Sequence, residues 1–430
     1  MPVNLSLAPP LPVAGVELAT VACGIKRDGS VDLVLMRLAA DTRVAAVFTR
    51  SAFAAAPVTV ARAHLAASDG AVRALLVNAG NANAGTGEPG IVMARGHCAA
   101  VGEALGVAAE AVLPFSTGVI GQLLPDERVR SGIRAAGEAL DAAASSGVSD
   151  GDSNGSGAAD GAGDALDPWR GAARGIMTTD TVPKLTSRQA SLAGGGQLTL
   201  TGMAKGAGMI EPHMATMLAY VFTDAAIGRE ALQAALEAAV EVSFNAISVD
   251  GDTSTNDACV LCATGQGAAL SPDDGADWSA FVGALSEVLV DLAHAIVRDA
   301  EGATKFVTVR VRGGRDRDEC RAVAYSVARS PLVKTAMFAS DANVGRLLMA
   351  IGKAPVEELD AAGVTVTLGD VRAFERGGIA EGYTEERGAA VMAEPEIRVE
   401  VDLGRGDAVA EVFTSDLSHD YVSINADYRS

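Results

Sequence analysis

One stretch of this sequence combines backbone freedom with reactive side chains: Gly202-Met-Ala-Lys205-Gly206-Ala-Gly208-Met-Ile-Glu-Pro212-His213-Met-Ala215-Thr216. Its three glycines admit positive φ angles and Pro212 fixes a further one, so the backbone can be held under strain. The stretch ends in a pair of small residues, Ala215-Thr216, at the entrance to a strand-like run over 217–222. A hydroxyl and an amine in such a loop are ingredients of nucleophilic acyl chemistry. The plainer reading is a Gly-rich turn entering a strand, and composition alone favours the turn.

Other motifs carry less. Gly151-Asp-Ser153-Asn-Gly155 matches a nucleophile elbow, but it lies in low-complexity sequence without the strand and helix that an elbow needs. Cys259 and Cys262 form a C-x-x-C inside an apolar run, with no second pair at zinc spacing, and read as buried strand thiols. Gly352-Lys353 lacks the spacing of a phosphate loop. Of the scattered histidines, only His213 falls in a segment of interest.

These residues must be positioned by a chain of 430 residues, 49% hydrophobic, with a net charge of −20. The acidic balance and the lack of any basic run argue against a nucleic-acid partner. Five scattered cysteines suit a reducing compartment. Residues 1–20 do not read as a signal peptide, and no apolar run is long enough to cross a bilayer, so a soluble, cytoplasmic protein is expected. Strands are expected over 31–36, 44–48, 73–77, 198–201, 217–222 and 306–312. Helices are expected over 90–105, 229–242 and 285–297. The alternating runs 397–403 and 408–414, joined by Gly404-Arg-Gly-Asp407, read as a hairpin. Strands and helices interleave, so the class is α/β or α+β. Segment 144–166 is Ser, Gly, Asp and Ala, cannot bury enough apolar area to order itself, and reads as a disordered surface insertion.

Lys205-Gly-Ala-Gly-Met-Ile, Pro212 and Met214-Ala-Thr-Met-Leu218 together resemble the self-processing site of the ornithine acetyltransferases. These are the bifunctional glutamate N-acetyltransferase/amino-acid acetyltransferases of the ArgJ family. The resemblance spans nearly the whole chain. It continues through Gly24-Ile-Lys26, Asn78-Ala-Gly-Asn-Ala-Asn83, Ser116-Thr-Gly-Val-Ile-Gly121 and Met177-Thr-Thr-Asp-Thr181. Further on it takes in Ser248-Val-Asp-Gly-Asp-Thr-Ser-Thr-Asn-Asp257, Glu301-Gly-Ala-Thr-Lys305, Ser330-Pro-Leu-Val-Lys-Thr335 and the tail from Asp416 to Tyr428. Departures are the 144–166 insertion, His213 where the family often has Asn, Gln122 where Glu is common, and Ala79, Gly85 and Val344.

The resemblance implies an α/β sandwich that cuts itself between Ala215 and Thr216. It implies an α chain 1–215 and a β chain 216–430 whose new N-terminus carries the nucleophile. A free α-amine has a pKa near ~8 and serves as general base without a histidine. Thr216 Oγ then takes the acetyl group of N-acetylornithine and passes it to glutamate. Thr117 and Gly118 are the implied oxyanion donors, a hydroxyl and a backbone N–H unobstructed by a Cβ; on spacing alone they read as a plain turn. The implied substrate contacts are Thr178, Lys205, Thr216, Glu301, Asn425 and the terminal Ser430. Thr178 is the least distinct, with Thr179 and Thr181 beside it. Lys205 suits a carboxylate and Glu301 an ammonium; taken alone, they read as a solvated lysine and a helix-end glutamate. The resemblance implies neither cofactor nor metal, and a heterotetramer of two α and two β chains.

Two questions stay open at this level. No feature decides whether acetyl-CoA is a second donor. An aminopeptidase or amidase on the same N-terminal-nucleophile scaffold would share Thr216 and differ only in giving the acyl group to water.

Overall fold

The computed structural model describes residues 1–145, 168–211 and 217–426. Two sheets face each other at its centre. One has four strands in the order Val16–Val21, Leu33–Leu38, Ala74–Asn81, Val112–Val119. The other has five, in the order Arg43–Phe48, Ala258–Ala263, Leu218–Thr223, Gly196–Lys205, Lys184–Leu192.

Residues two apart on a strand share a face, and here both faces are apolar. Leu218, Tyr220 and Phe222 point between the sheets, where Val34, Met36, Leu75, Val77 and Phe115 meet them. Ala219 and Val221 point the other way, onto the helices Arg229–Glu241 and Ala276–Arg298. On the far side of the four-stranded sheet, Leu33, Leu35, Ala74 and Leu76 pack under Gly87–Leu105 and Asp126–Ser145. The layers therefore run helix, sheet, sheet, helix, the α/β sandwich that the family resemblance implies. A strand buried on both faces reads as a continuous apolar run, which explains the central sequences Leu218–Thr223 and Ala258–Ala263.

A third sheet, built after residue 246, has seven strands, with Phe306–Gly314 and Glu396–Asp402 side by side in its interior. Val307, Val309 and Val311 pack under the helices Arg317–Ala328, Pro331–Phe338 and Val344–Gly352. Its other face is polar and crossed by ion pairs such as Arg310–Glu411, at 3.3 Å. Phe306 ties this sheet to the sandwich: it joins the core under Ala276–Arg298, with the Arg298 guanidinium 4.0 Å from its ring centre.

The expected strands and helices are present with moved ends. The expected hairpin is not. Glu396–Asp402 and Ala408–Ser415 do not pair with each other; Phe306–Gly314 lies between them, parallel to the first and antiparallel to the second. The Gly404 turn, at φ +65°, carries the chain around the end of that strand instead of back along its own edge. Leu403 and Arg405 donate backbone N–H bonds to Arg312 and Gly313 at 2.9 and 2.8 Å. The helix expected over 285–297 begins nine residues earlier, as Ala276–Arg298, and is long and apolar enough to cross a membrane by composition. Here it is a core helix, with Leu285, Val288, Leu289, Leu292 and Ile296 buried against the five-stranded sheet. Cys259 and Cys262 are buried free thiols on opposite faces of one strand. Ala144 and Ser145 close the helix Asp126–Ser145; the rest of 144–166 lies outside the described residues.

Candidate active site

A cavity of about 120 Å³ opens where the ends of the two central sheets converge. Thr117, Gly118, Thr178, Lys205, Glu301 and Asn425 all line it, together with Met217 and Leu218. Six residues singled out from the sequence thus meet at one place from five separate segments. Three others, Ala215, Thr216 and Ser430, lie outside the described residues. Met217 is the first described residue beyond position 216, and its carbonyl accepts from the Ala258 N–H at 3.0 Å.

Thr117 and Gly118 end the strand Val112–Val119. Gly118 pairs with Gly80 across a register shift at Gly80 and Asn81. Its φ is +129°, and a Cβ there would lie 2.6 Å from the Asn81 nitrogen, so only glycine fits the approach. Asn256 locks the arrangement, its side-chain amide donating to the carbonyls of Ala82 at 2.6 Å and Ser116 at 2.9 Å. Ser116 Oγ donates to Asn78 Oδ1 at 2.6 Å, which ties the asparagine-rich turn to the same strand. An oxyanion site needs donors fixed before the reaction, and these contacts fix this strand end.

Lys205 ends the strand Gly196–Lys205 and is 8% exposed. Burial lowers its pKa; Asp180, Glu301 and Asp257 oppose that through their charge, while Lys184 adds to it. Behind it lies a buried ionic cluster. Lys184 Nζ donates to Asp180 at 2.6 Å and to Asp299 at 2.7 Å. Asp180 also accepts the backbone N–H groups of Gly206 at 2.7 Å and Thr178 at 3.1 Å. The neighbouring cations and these bonds overcome its burial and hold Asp180 well below the usual carboxylate range. Thr179 lines the cavity beside Thr178, whereas Thr181 is turned to Asp299, which accepts both its N–H and its hydroxyl.

Glu301 follows the helix Ala276–Arg298 and is anchored by its N–H to the Ala207 carbonyl at 2.9 Å. Asn425, on the helix His419–Ala426, donates to Glu301 Oε2 at 2.6 Å. These two residues are 124 apart in sequence and adjacent in the cavity wall.

The chain just before position 212 is held on several sides. Asp250 accepts the N–H groups of Met209 and Ile210 at 2.6 and 2.8 Å. Ile210 O accepts from Val249 N at 2.7 Å, and Glu211 O from Thr253 Oγ1 at 3.0 Å. The Glu211 carboxylate pairs with Arg329 and accepts from Ser248 at 3.1 Å. Met209 has φ +56°, rare for a non-glycine residue. Residues 248–258 therefore grip the segment on both sides of 212–216. In the sequence alone Ser248–Asp257 stands out only as a motif, and nothing there assigns Asp180, Asp250, Asn256 or Asp257 a role. The density of carboxylates and hydroxyls in that run was the available signal.

Residues 17–430 match the ArgJ family. The arginine biosynthesis bifunctional protein ArgJ of Pseudomonas syringae pv. tomato is 49% identical over 433 residues, covering 100% of both chains. Among solved structures, ArgJ of Bacillus halodurans is 38% identical with a TM-score of 0.46, covering 48% of this chain and 97% of its own. An ornithine acetyltransferase of Mycobacterium tuberculosis, solved with ornithine, is 32% identical with a TM-score of 0.36, covering 46% and 92%. With a family match that omits only the first 16 residues and a full-length relative at 49% identity, the chain belongs to the ArgJ family, the bifunctional acetyltransferases of arginine biosynthesis.

Proposed function

We propose that this chain cuts itself between Ala215 and Thr216 and then moves the acetyl group of N-acetylornithine to glutamate through an acetyl-Thr216 intermediate. The observation that carries the reading is the convergence of Thr117, Gly118, Thr178, Lys205, Glu301 and Asn425 on one cavity beside Met217. Thr216 Oγ attacks the acetyl carbonyl, the freed α-amine of the same residue takes the proton, and Thr117 with Gly118 stabilises the oxyanion. Each such donor contributes about 3–4 kcal/mol. Lys205 takes the substrate carboxylate, Glu301 with Asn425 takes the distal ammonium of ornithine, and Thr178 and Ser430 complete the contacts. One nucleophile serving two amino acids in one cavity favours a double displacement over a ternary complex.

The two chains, 1–215 and 216–430, stay together as one folding unit and pair into a heterotetramer. The central sheet supports the two chains staying together, because Gly196–Lys205 and Leu218–Thr223 are hydrogen-bonded neighbours from opposite sides of the proposed cut. The Pseudomonas relative is named bifunctional, and on that ground acetyl-CoA is included as a second donor for N-acetylglutamate formation. A soluble, cytoplasmic setting completes the reading, with the five cysteines as free thiols.

Intact mass under denaturing conditions tests the first step: two fragments are expected, the second beginning Thr-Met-Leu-Ala. Thr216→Ala is expected to stay whole and inactive, and Thr216→Ser to retain some cleavage. Release of ornithine that depends on glutamate tests the second step. Equal release without glutamate would make the protein an amidase.

A further inference from the structure

The cavity wall holds one more carboxyl, to which the proposed reaction assigns nothing. Asp257 lines the cavity and is 2% exposed. Its Oδ2 is buried and has no hydrogen-bond partner among the described residues. Thr49 and Ser254 are the neutral groups beside it, and Lys205 is the charged group that acts on it. Burial pushes the carboxyl well above the ordinary carboxylate range, which favours its protonated form. Ala258 pairs with Leu218, and neighbouring strands lie about 4.8 Å apart. Asp257 therefore stands beside Met217, next to the chain leaving position 216.

Acetyl transfer between two amino acids has a proton problem at the substrate nitrogen. An amide nitrogen leaves only after gaining a proton, and an arriving α-ammonium attacks only after losing one. We propose that Asp257 is the proton carrier for the substrate nitrogen, acid in the first half-reaction and base in the second. The proposal rests on the acetyl-threonine reading above.

In the donor half, the amide C–N bond breaks as the acetyl–Oγ bond forms on Thr216. The departing nitrogen ends with the Thr216 hydroxyl proton and the Asp257 proton and leaves as an ammonium; Asp257 remains as a carboxylate beside Lys205. In the acceptor half, the α-ammonium of glutamate gives one proton to Asp257 and its lone pair attacks the acetyl carbon. The C–Oγ bond breaks, and a second nitrogen proton ends on Thr216 Oγ. The second half is the reverse of the first, so Asp257 finishes in the state in which it began.

The test loads purified, fully processed wild type and Asp257→Asn with p-nitrophenyl acetate, whose leaving group departs without a proton. Each acetyl-enzyme is then discharged with glutamate or with hydroxylamine, whose nitrogen is unprotonated at neutral pH. Asp257→Asn should discharge to hydroxylamine at close to the wild-type rate and to glutamate roughly 100-fold more slowly, the range of general acid–base catalysis. Where Asp257→Asn fails to assemble, Asp257→Glu replaces it and should show the same selective deficit, reduced because the carboxyl is kept. Equal loss to both nucleophiles, or an unchanged glutamate rate, would overturn the proposal. A wild-type enzyme that never yields an acetylated 216–430 fragment would instead sink the acetyl-threonine reading, and that result is read before any variant is compared.

Discussion

Gly208 and Glu301 are in direct contact: a Cβ on residue 208 would lie 2.6 Å from the Glu301 carboxyl carbon. The loop before the proposed cut and the proposed ammonium site are thus packed surface to surface. A methyl group added at 208 has to push the carboxylate and its Asn425 partner aside. Gly208→Ala is expected to raise KM for N-acetylornithine about tenfold, since a hydrogen bond to a charged group contributes about 1.5–3 kcal/mol. KM for glutamate, which has no distal cation, should change far less. Steady-state kinetics for each substrate check this; equal changes in both would show that Glu301 does not select the cation.

Asp250 should act before catalysis. By accepting from Met209 and Ile210 it fixes the backbone entering the proposed cut site. Asp250→Ala removes both bonds and is expected to slow self-cleavage at least tenfold, at about 1.5–3 kcal/mol for each charged acceptor lost. Once fully processed, the same variant should keep most of the transferase activity. A time course of fragment appearance after purification measures the first effect; an unchanged rate would free Asp250 from any part in processing.

Lys205 carries both substrates' carboxylates in the proposed reaction. Lys205→Met is expected to lower kcat/KM roughly 30-fold for each, equivalent to about 2 kcal/mol. The wild-type amine is charged below its pKa and neutral above it, and burial lowers that pKa below the ordinary lysine value. Carboxylate binding should therefore be complete at low pH and fade on the alkaline side earlier than an ordinary lysine would allow. Plots of log(kcat/KM) against pH test the sign: Lys205→Met should lack this alkaline limb.

Lys334 makes a stability prediction away from the cavity. It is fully buried, donates to Thr414 Oγ1 at 2.8 Å and to the Ser415 carbonyl, and burial lowers its pKa to about 7. Between pH 7 and the unfolded lysine value near ~10.4, the unfolded chain binds a proton that the folded chain does not. Stability from this group therefore rises with pH across that window. The Tm difference between wild type and Lys334→Met should move in favour of wild type from pH 7 to pH 9. A difference that is flat with pH would show that the amine keeps its charge when buried.

The central strands were legible because they are apolar on both faces: the run from Met217 to Phe222 allows few other readings. The site was legible through the resemblance, which marked Thr117, Lys205, Glu301 and Asn425 without saying how they meet. Local sequence failed where a partner comes from afar. Residues 397–414 carry a hairpin pattern, yet the strand that separates them lies some 90 residues earlier. Asp180, Lys184 and Asp299 close an ionic cluster across 115 residues, and no spacing rule joins such positions. Asp257 looks like any aspartate until burial leaves one of its oxygens without a partner.

Under the proposed cut at 215/216, the antiparallel pairing of Gly196–Lys205 with Leu218–Thr223 changes the kinetic order of folding. Before the cut, the two strands belong to one molecule and meet by closing a short loop, a unimolecular event independent of concentration. Afterwards the same sheet must be rebuilt from two solutes. The enzyme is then assembled once, as an uncut precursor, and inherits an interface that its fragments would have to find by collision. Heating or denaturant should unfold it with a yield of recovery that falls on dilution. Persistence in the cell then depends on how slowly the sheet opens, whatever the equilibrium between the separated pieces.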